Sequence, residues 1–467
     1  MTLDQIQQGP STNRPRSPVS EDSVLVVRAA ADSTPALKYR LWNPDYTLKP
    51  GSAQLHFFRA MLLWNQIPSE QRQEIETWSD DEAPQPTLAE RRVVMDGLGN
   101  VFEELHLLAI AEDATWDHRL RDLRGPDMYA YLLPDVQESR ALARLLDQKI
   151  RYQIEEQDLD GAVESLRDGF RLAAFVGQGE TLVQQLVGIA IGGMMLGSVE
   201  RVMQMPNSPN MYWALASLPR PFVDIRKSVE FELGGIHRVV PLLTEAETQT
   251  RSEAYWAQEW ESLLSDFEEL AGSNNSRLAL AVVGLGGAEA SKQRLVEAGM
   301  ERQQVDAMPD LQAILVDTSR SIRVFSDELS KAQLLPGALG QQVAEKAHRK
   351  FEQWVRENER KSGAAVLMGL LFPAVQAAST AGARQEYLIN RLMTIEALRM
   401  HAATHDGELP RKLSELDPVP ALPNPFNGEA FDYRVEQDGQ HSVITLSADV
   451  PRGFEYFKEI KVRLLAK

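Results

Sequence analysis

The chain contains no cysteine, which removes disulfides, thiolate metal sites, iron–sulfur clusters and a cysteine nucleophile together. The redox compartment stays open, because a cysteine-free chain suits oxidising and reducing surroundings alike. Positive charge is also in short supply: 49 Lys and Arg stand against 67 Asp and Glu, a formal net charge of -18. That sign opposes the phosphate backbone, so nucleic acid is excluded as a partner, and it disfavours an anionic membrane surface. No Gly-x-Ser-x-Gly elbow and no Walker loop occur. Carboxylates are so abundant that any pair can be drawn, and paired-acid chemistry carries no weight. The first 23 residues are polar and rich in Pro and Ser, with no basic segment leading into an apolar one, so no signal peptide is read in this numbering.

What is present is an ordinary globular composition. Hydrophobic residues make up 43% and charged residues 25% of the 467 positions, enough to bury a core and still cover it with a solvated surface. Residues 1–22 read as a disordered tail. "VLVVRAA" at 24–30 is a short β-like run, and from there the helical period dominates. In "SAQLHFFRAMLLW", Leu55, Phe58 and Leu62, with Phe57 and Met61, mark one apolar face. A single helix is expected from about Leu88 to Glu112. Further helices are expected from Phe222 to His237, from Glu253 to Leu270, from Asn275 to Gly299, across 340–360, and as one long element from about 363 to 404. Beyond a proline-rich stretch, "EAFDYRVE" and "HSVITLSA" read as a hairpin turned at Gln437, Asp438 and Gly439.

Two uncharged stretches raise the question of a membrane. "TLVQQLVGIAIGGMMLGSV", residues 181–199, carries Gly188 and Gly192 and then Gly193 and Gly197 at the small-x-x-x-small spacing that lets helix backbones approach closely. Gln184, Gln185 and the four glycines leave little greasy surface, so a buried core helix is preferred over a membrane span. The second stretch, 363–383, is interrupted by Pro373, Ser379 and Thr380, and a tightly packed helix is again preferred, with membrane contact as the alternative.

Candidate chemical motifs weigh less than their bland alternatives. Gly284 and Gly286 imitate a dinucleotide loop, but Glu289 holds the third glycine position and no strand–helix alternation surrounds it. Glu103 with His106, and Glu345 with His348, have the Glu-x-x-His spacing of di-iron bundles, which a glutamate-rich chain also produces by chance. His401 and His405 lack the glutamate of a zinc-protease motif and suit a helix C-terminus without metal. Arg220, Asp224 and Arg226 in "SLPRPFVDIRKS" form a polar cluster at a helix start, with Pro221 at its first turn. They are the candidate binding residues, and a structural ion-pair role is preferred for them. No catalytic residue, metal or cofactor is expected.

From Pro134, "PDVQESRALARLLDQKIRYQIEEQDLDGAVESLRDGFRLAAFVGQ" sets two amphipathic helices about a "QDLDG" turn, with Ala162, Leu166, Phe170 and Ala173 on one face. This resembles a tetratricopeptide-type hairpin near 135–176. The runs "YLLPDVQESRALARLLDQKIR", "GFRLAAFVGQGETLVQQLVGIAIGGMMLGSVERVMQ" and "KQRLVEAGMERQQVDAMP" resemble a planctomycete family of helical proteins, across most of 35–435. That resemblance implies an extended helical fold, no established activity and an envelope location. "LLFPAVQAASTAGARQEYLINRLMTIEALRM", followed by Gly407, Pro410, Pro425, Phe426, Gly428 and Tyr433, is similar to pilin-like and type II secretion pseudopilin subunits, which implies a long helix carrying a small α+β fold.

The expected architecture is therefore mainly α, an irregular antiparallel helical array over 23–362 with a small C-terminal α+β cap over 363–467. The expected function is a non-enzymatic scaffold or binding protein whose partner is another protein. The alternatives are an envelope or secretion-apparatus component, touching membrane through 363–383, and a metal-dependent hydrolase. The hydrolase needs His106 and His348, or His401 and His405, to converge with carboxylates.

Overall fold

The computed structural model describes residues 24–79, 83–125, 134–271, 287–335, 337–358, 362–439, 441–451 and 453–465. The tail expected over 1–22, and 278–286 of the loop-like glycine run, lie outside them.

Sixteen α-helices and six strands run through the described residues, so the chain is mainly helical, as its period predicts. The first strand, β1, spans Val24–Arg28, and β2 (Lys49–Ser52) leads into α1 (Ala53–Asn65) and α2 (Ser69–Thr77). The single helix expected up to Glu112 is two: α3 (Leu88–Gly97) and α4 (Gly99–Ile110). Leu98 between them leaves helical geometry at φ -94° and ψ 7°. A glycine on each side of it lowers the cost of the break. The chain past α4 then extends as β3 (Ala111–Asp113) and pairs in parallel with β2, an element pair that the periodicity did not foretell.

Next come α5 (Pro134–Glu155), α6 (Leu159–Gly177) and α7 (Leu182–Met203). Local chemistry starts each of the last two. The Asp158 carboxylate accepts from the Gly161 N–H at 3.0 Å, and Thr181 with Gln184 forms a reciprocal capping box, satisfying donors that a helix start leaves orphaned. Gly188 answers the question raised by the uncharged stretch. A Cβ there would lie 2.6 Å from the Ala173 carbonyl oxygen and from Gly177 Cα, so glycine is what lets α7 lie against α6. Gly192 makes room for Gln385 and Phe222, whereas Gly193 faces nothing within 4 Å.

The remaining helices are α8 (Tyr212–Ala216), α9 (Arg226–Val239), α10 (Leu242–Thr248), α11 (Glu253–Ala271), α12 (Ala288–Glu297), α13 (Arg302–Asp306), α14 (Asp310–Ser330), α15 (Gly337–Asn358) and α16 (Gly363–Thr404). At 42 residues, α16 is about 60 Å long. It passes through two hydrophobic cores. Its first half, through Phe372, Val375 and Ala378, joins a core built from α9 to α15 with Leu182 at the start of α7, while Tyr387, Leu392, Ile395 and Leu398 join a larger one built from α1 to α8 and the sheet.

That sheet closes the molecule with β4 (Asp432–Asp438), β5 (His441–Ser447) and β6 (Glu459–Leu465), in the order β1-β6-β5-β4. The hairpin of β4 and β5 is antiparallel, Val435 opposite Ile444. β1 pairs in parallel with β6, Val26 opposite Arg463, and so brings the first described strand beside the last.

Candidate functional site

The three residues singled out from sequence are not brought to one point. The Asp224 carboxylate accepts from the Arg226 guanidinium, Nε at 2.8 Å and Nη2 at 2.5 Å, and from its backbone N–H at 3.1 Å, a local pair at the start of α9. Arg226 holds the Asp224 carboxyl below its usual range. Pro221 lies before this helix and not in its first turn. Arg220 bonds elsewhere: its guanidinium donates to Glu386 Oε2 at 2.7 Å and Asn390 Oδ1 at 2.8 Å, both on α16. Glu386 also accepts from the Phe222 N–H at 2.9 Å. Arg220 thus ties the 218–225 connection to α16, while Asp224 and Arg226 stay partly exposed and satisfied by each other.

The histidines do not converge either. His106 on α4 is held by buried Asp168 on α6 at 3.2 Å, and this hydrogen bond raises its pKa. His348 lies edge-on to Phe372 in the other core, where burial lowers its pKa. The rings of His401 and His405 stack at 3.9 Å, with His401 Nδ1 accepting from the Asp417 N–H at 3.2 Å. Stacked rings present faces to each other and not a shared set of lone pairs. Among the described residues no group of three or more His, Asp and Glu could hold a metal ion.

A cleft of about 210 Å³ lies among Trp116, His118, Arg119, Arg121 and Glu180. Its residues already partner one another. Arg121 meets Glu180 at 2.5 Å, and Trp116 is stacked between His118 and Phe175. Nothing in it joins a nucleophile to a base.

Two features that sequence reading missed stand out. The first is a buried clasp on α16. Arg399 and Glu396, 1% and 0% exposed, pair at 2.6 Å. Arg399 Nε donates to the Arg28 carbonyl at 2.8 Å and Nη2 to that of Ser208 at 3.1 Å, while Glu396 Oε2 accepts from the Met211 N–H at 3.0 Å. Burial raises the Glu396 pKa against the pull of Arg399. The signal was present as two opposite charges three apart in the apolar run "MTIEALRMHAAT".

The second feature is the outer face of α1. The sequence placed Leu55, Phe58 and Leu62 on one apolar face with Phe57, but the structure divides them. Ala53, Phe57, Ala60 and Trp64 face the core, and Leu55, Phe58 and Leu62 are 49%, 38% and 65% exposed. Small Ala53 and Ala60 let α1 sit close to α4, so the burying face is the one with alanines and two aromatic rings. The leucines are left outside as a ridge at i, i+3 and i+7.

Comparison with known proteins finds no matching family model, no similar curated protein and no similar solved structure.

Proposed function

We propose that this chain is a non-enzymatic helical scaffold that holds another protein, and that the ridge of Leu55, Phe58 and Leu62 on α1 is where the partner docks. The observation that carries this reading is the exposure of three large apolar side chains at helical spacing. A partner helix reads such a ridge through i, i+3 and i+7 anchors. The α5–α6 hairpin, with Ala162 and Ala173 buried, supports a tetratricopeptide-like reading of the array. The long α16 followed by a small sheet supports a pseudopilin-like reading of the C-terminal part, within the planctomycete family that the sequence resembles.

A second reading, an envelope or secretion-apparatus component, is favoured by one observation. Both α7 and α16 are long and apolar enough to cross a membrane, but the most apolar stretch of α7 is 67% buried and that of α16 only 44%. Retention of the protein in the membrane fraction after a high-salt wash, and its release by detergent, would support it. Full recovery in the aqueous fraction would count against it.

The scaffold reading is tested by crosslinked affinity recovery from native cells with the wild type and with the double variant Phe58→Asp, Leu62→Lys. A stoichiometric protein partner recovered with the wild type and lost with the variant is the expected result. Equal recovery by both overturns the α1 site. Recovery of the protein alone overturns the scaffold reading.

A further inference from the structure

The four-stranded sheet has two edges, and they are treated differently. At the β1 edge the Val26 N–H meets Gln204 Oε1 at 3.5 Å, and just beyond β1 the Ala30 N–H donates to the Arg399 carbonyl at 3.1 Å. The β4 edge has β5 on one side and, among the described residues, no strand on the other. β4 is seven residues long, carries no Pro or Gly, and keeps an unbroken register with β5. An antiparallel ladder turns the N–H and C=O of alternate residues away from their partner strand, so β4 presents a row of backbone donors and acceptors outward. Such an edge is a template for another strand unless something blunts it.

The side chains of β4 say which strand. Its sequence, Asp432-Tyr433-Arg434-Val435-Glu436-Gln437-Asp438, places Arg434 and Glu436 symmetrically about Val435. Both are exposed, on the face opposite the one that packs on the core, and neither side chain has an ion pair or hydrogen bond among the described residues. If β4 pairs antiparallel with a second β4 about Val435, Arg434 of each copy falls opposite Glu436 of the other, and this complementary pair forms twice. On the other face, half-buried Tyr433 and Val435 extend the apolar surface across the join. Asp432 falls opposite Asp438, an opposing contact moderated by Arg463, which lies 3.1 Å from Asp438 in the same chain.

We propose that two copies of this chain associate through the β4 edge, antiparallel about Val435, to form one continuous eight-stranded sheet with two-fold symmetry. The proposal is independent of the partner assigned to α1. The isologous geometry follows from the charge order: a one-residue slip moves the charged face of one strand to the apolar side of the other.

Charge reversal at the two central positions tests it, read by sedimentation equilibrium of the full chain. The wild type is expected to be a dimer. Arg434→Glu sets two Glu–Glu pairs across the join and Glu436→Arg sets two Arg–Arg pairs, so each weakens dimerisation by about tenfold or more. The double variant R434E/E436R restores complementarity and returns the dissociation constant to near the wild-type value. Asp432→Asn removes the opposing contact and tightens the dimer. Unchanged thermal unfolding of the variant monomers separates association from folding, since these side chains have no partner among the described residues. A wild type that stays monomeric at the highest concentration reached overturns the proposal. So does a dimer indifferent to both reversals, or one that the double variant fails to restore.

Discussion

At the scale of single residues, the structure keeps its charges buried where they hold segments together. The clasp of Glu396 and Arg399 joins α16 to the end of β1 and to the loop at Ser208 through Met211. Removing one partner of a buried pair leaves the other uncompensated, which costs about 3–5 kcal/mol. Glu396→Ala is therefore expected to lower the unfolding free energy by that amount in urea titration. Replacing both residues by apolar ones of similar volume is expected to cost less. Asp147 on α5 makes a second such point, accepting from Ser198 Oγ at 2.6 Å, Arg201 Nη1 at 2.7 Å and Arg151 Nε at 3.0 Å. Burial would raise its carboxyl, but the two arginines and the serine hydroxyl outweigh it and hold the pKa below the usual value. A depressed carboxyl contributes stability that is present above its unfolded pKa and is lost as pH falls through the folded one. Asp147→Asn is thus expected to be destabilising at neutral pH. The difference from wild type should shrink as the pH falls below about 4, where the unfolded carboxylate takes up its proton.

At the scale of elements, packing is decided by which face of a helix carries small residues. On α7, a Cβ at Gly188 would run into the backbone of α6, whereas one at Gly193 would meet nothing within 4 Å. Gly188→Val forces the two helices apart and is expected to cost at least about 1–3 kcal/mol, the usual range for overpacking. Gly193→Ala adds a methyl into open space and raises helix propensity, so it is expected to stabilise by about 0.5–1 kcal/mol. Thermal melts of the two variants check the contrast. The spacing of four glycines was legible in the sequence, but which of them meets a neighbour was not, because small-residue spacing is compatible with several helix rotations. The same ambiguity explains α1, where leucines at helical spacing read as the core face and alanines at Ala53 and Ala60 marked the true one.

At the scale of the whole molecule, α16 runs through both hydrophobic cores, while α7 belongs to the larger one and reaches the other at its start, through Leu182 and Leu186. A continuous helix couples them, so the wild type is expected to melt in a single calorimetric transition. Thr380 sits where the helix passes from one core to the other. Thr380→Pro removes one helical hydrogen bond and clashes with the preceding turn, at a cost of about 3 kcal/mol or more. The expected outcome is two separated transitions, with the core of α9 to α15 melting first because it lacks the sheet and the clasp. A variant that still melts as one unit would place the coupling elsewhere.

By itself the sequence determined the mainly helical class, the long C-terminal helix, the β4–β5 hairpin and the exclusion of thiol chemistry. These follow from local periodicity, turn residues and composition, which need no knowledge of neighbours. Tertiary structure alone decided that β1 joins β6, that α3 and α4 are separate, that Arg220 bonds α16 while Asp224 and Arg226 pair with each other, and that Glu396 and Arg399 form the clasp. The widest of these contacts join residues 437 positions apart, Val26 and Arg463, and 371 apart, Arg28 and Arg399. No local pattern encodes such a contact, because its free energy exists only when the intervening chain has folded around it.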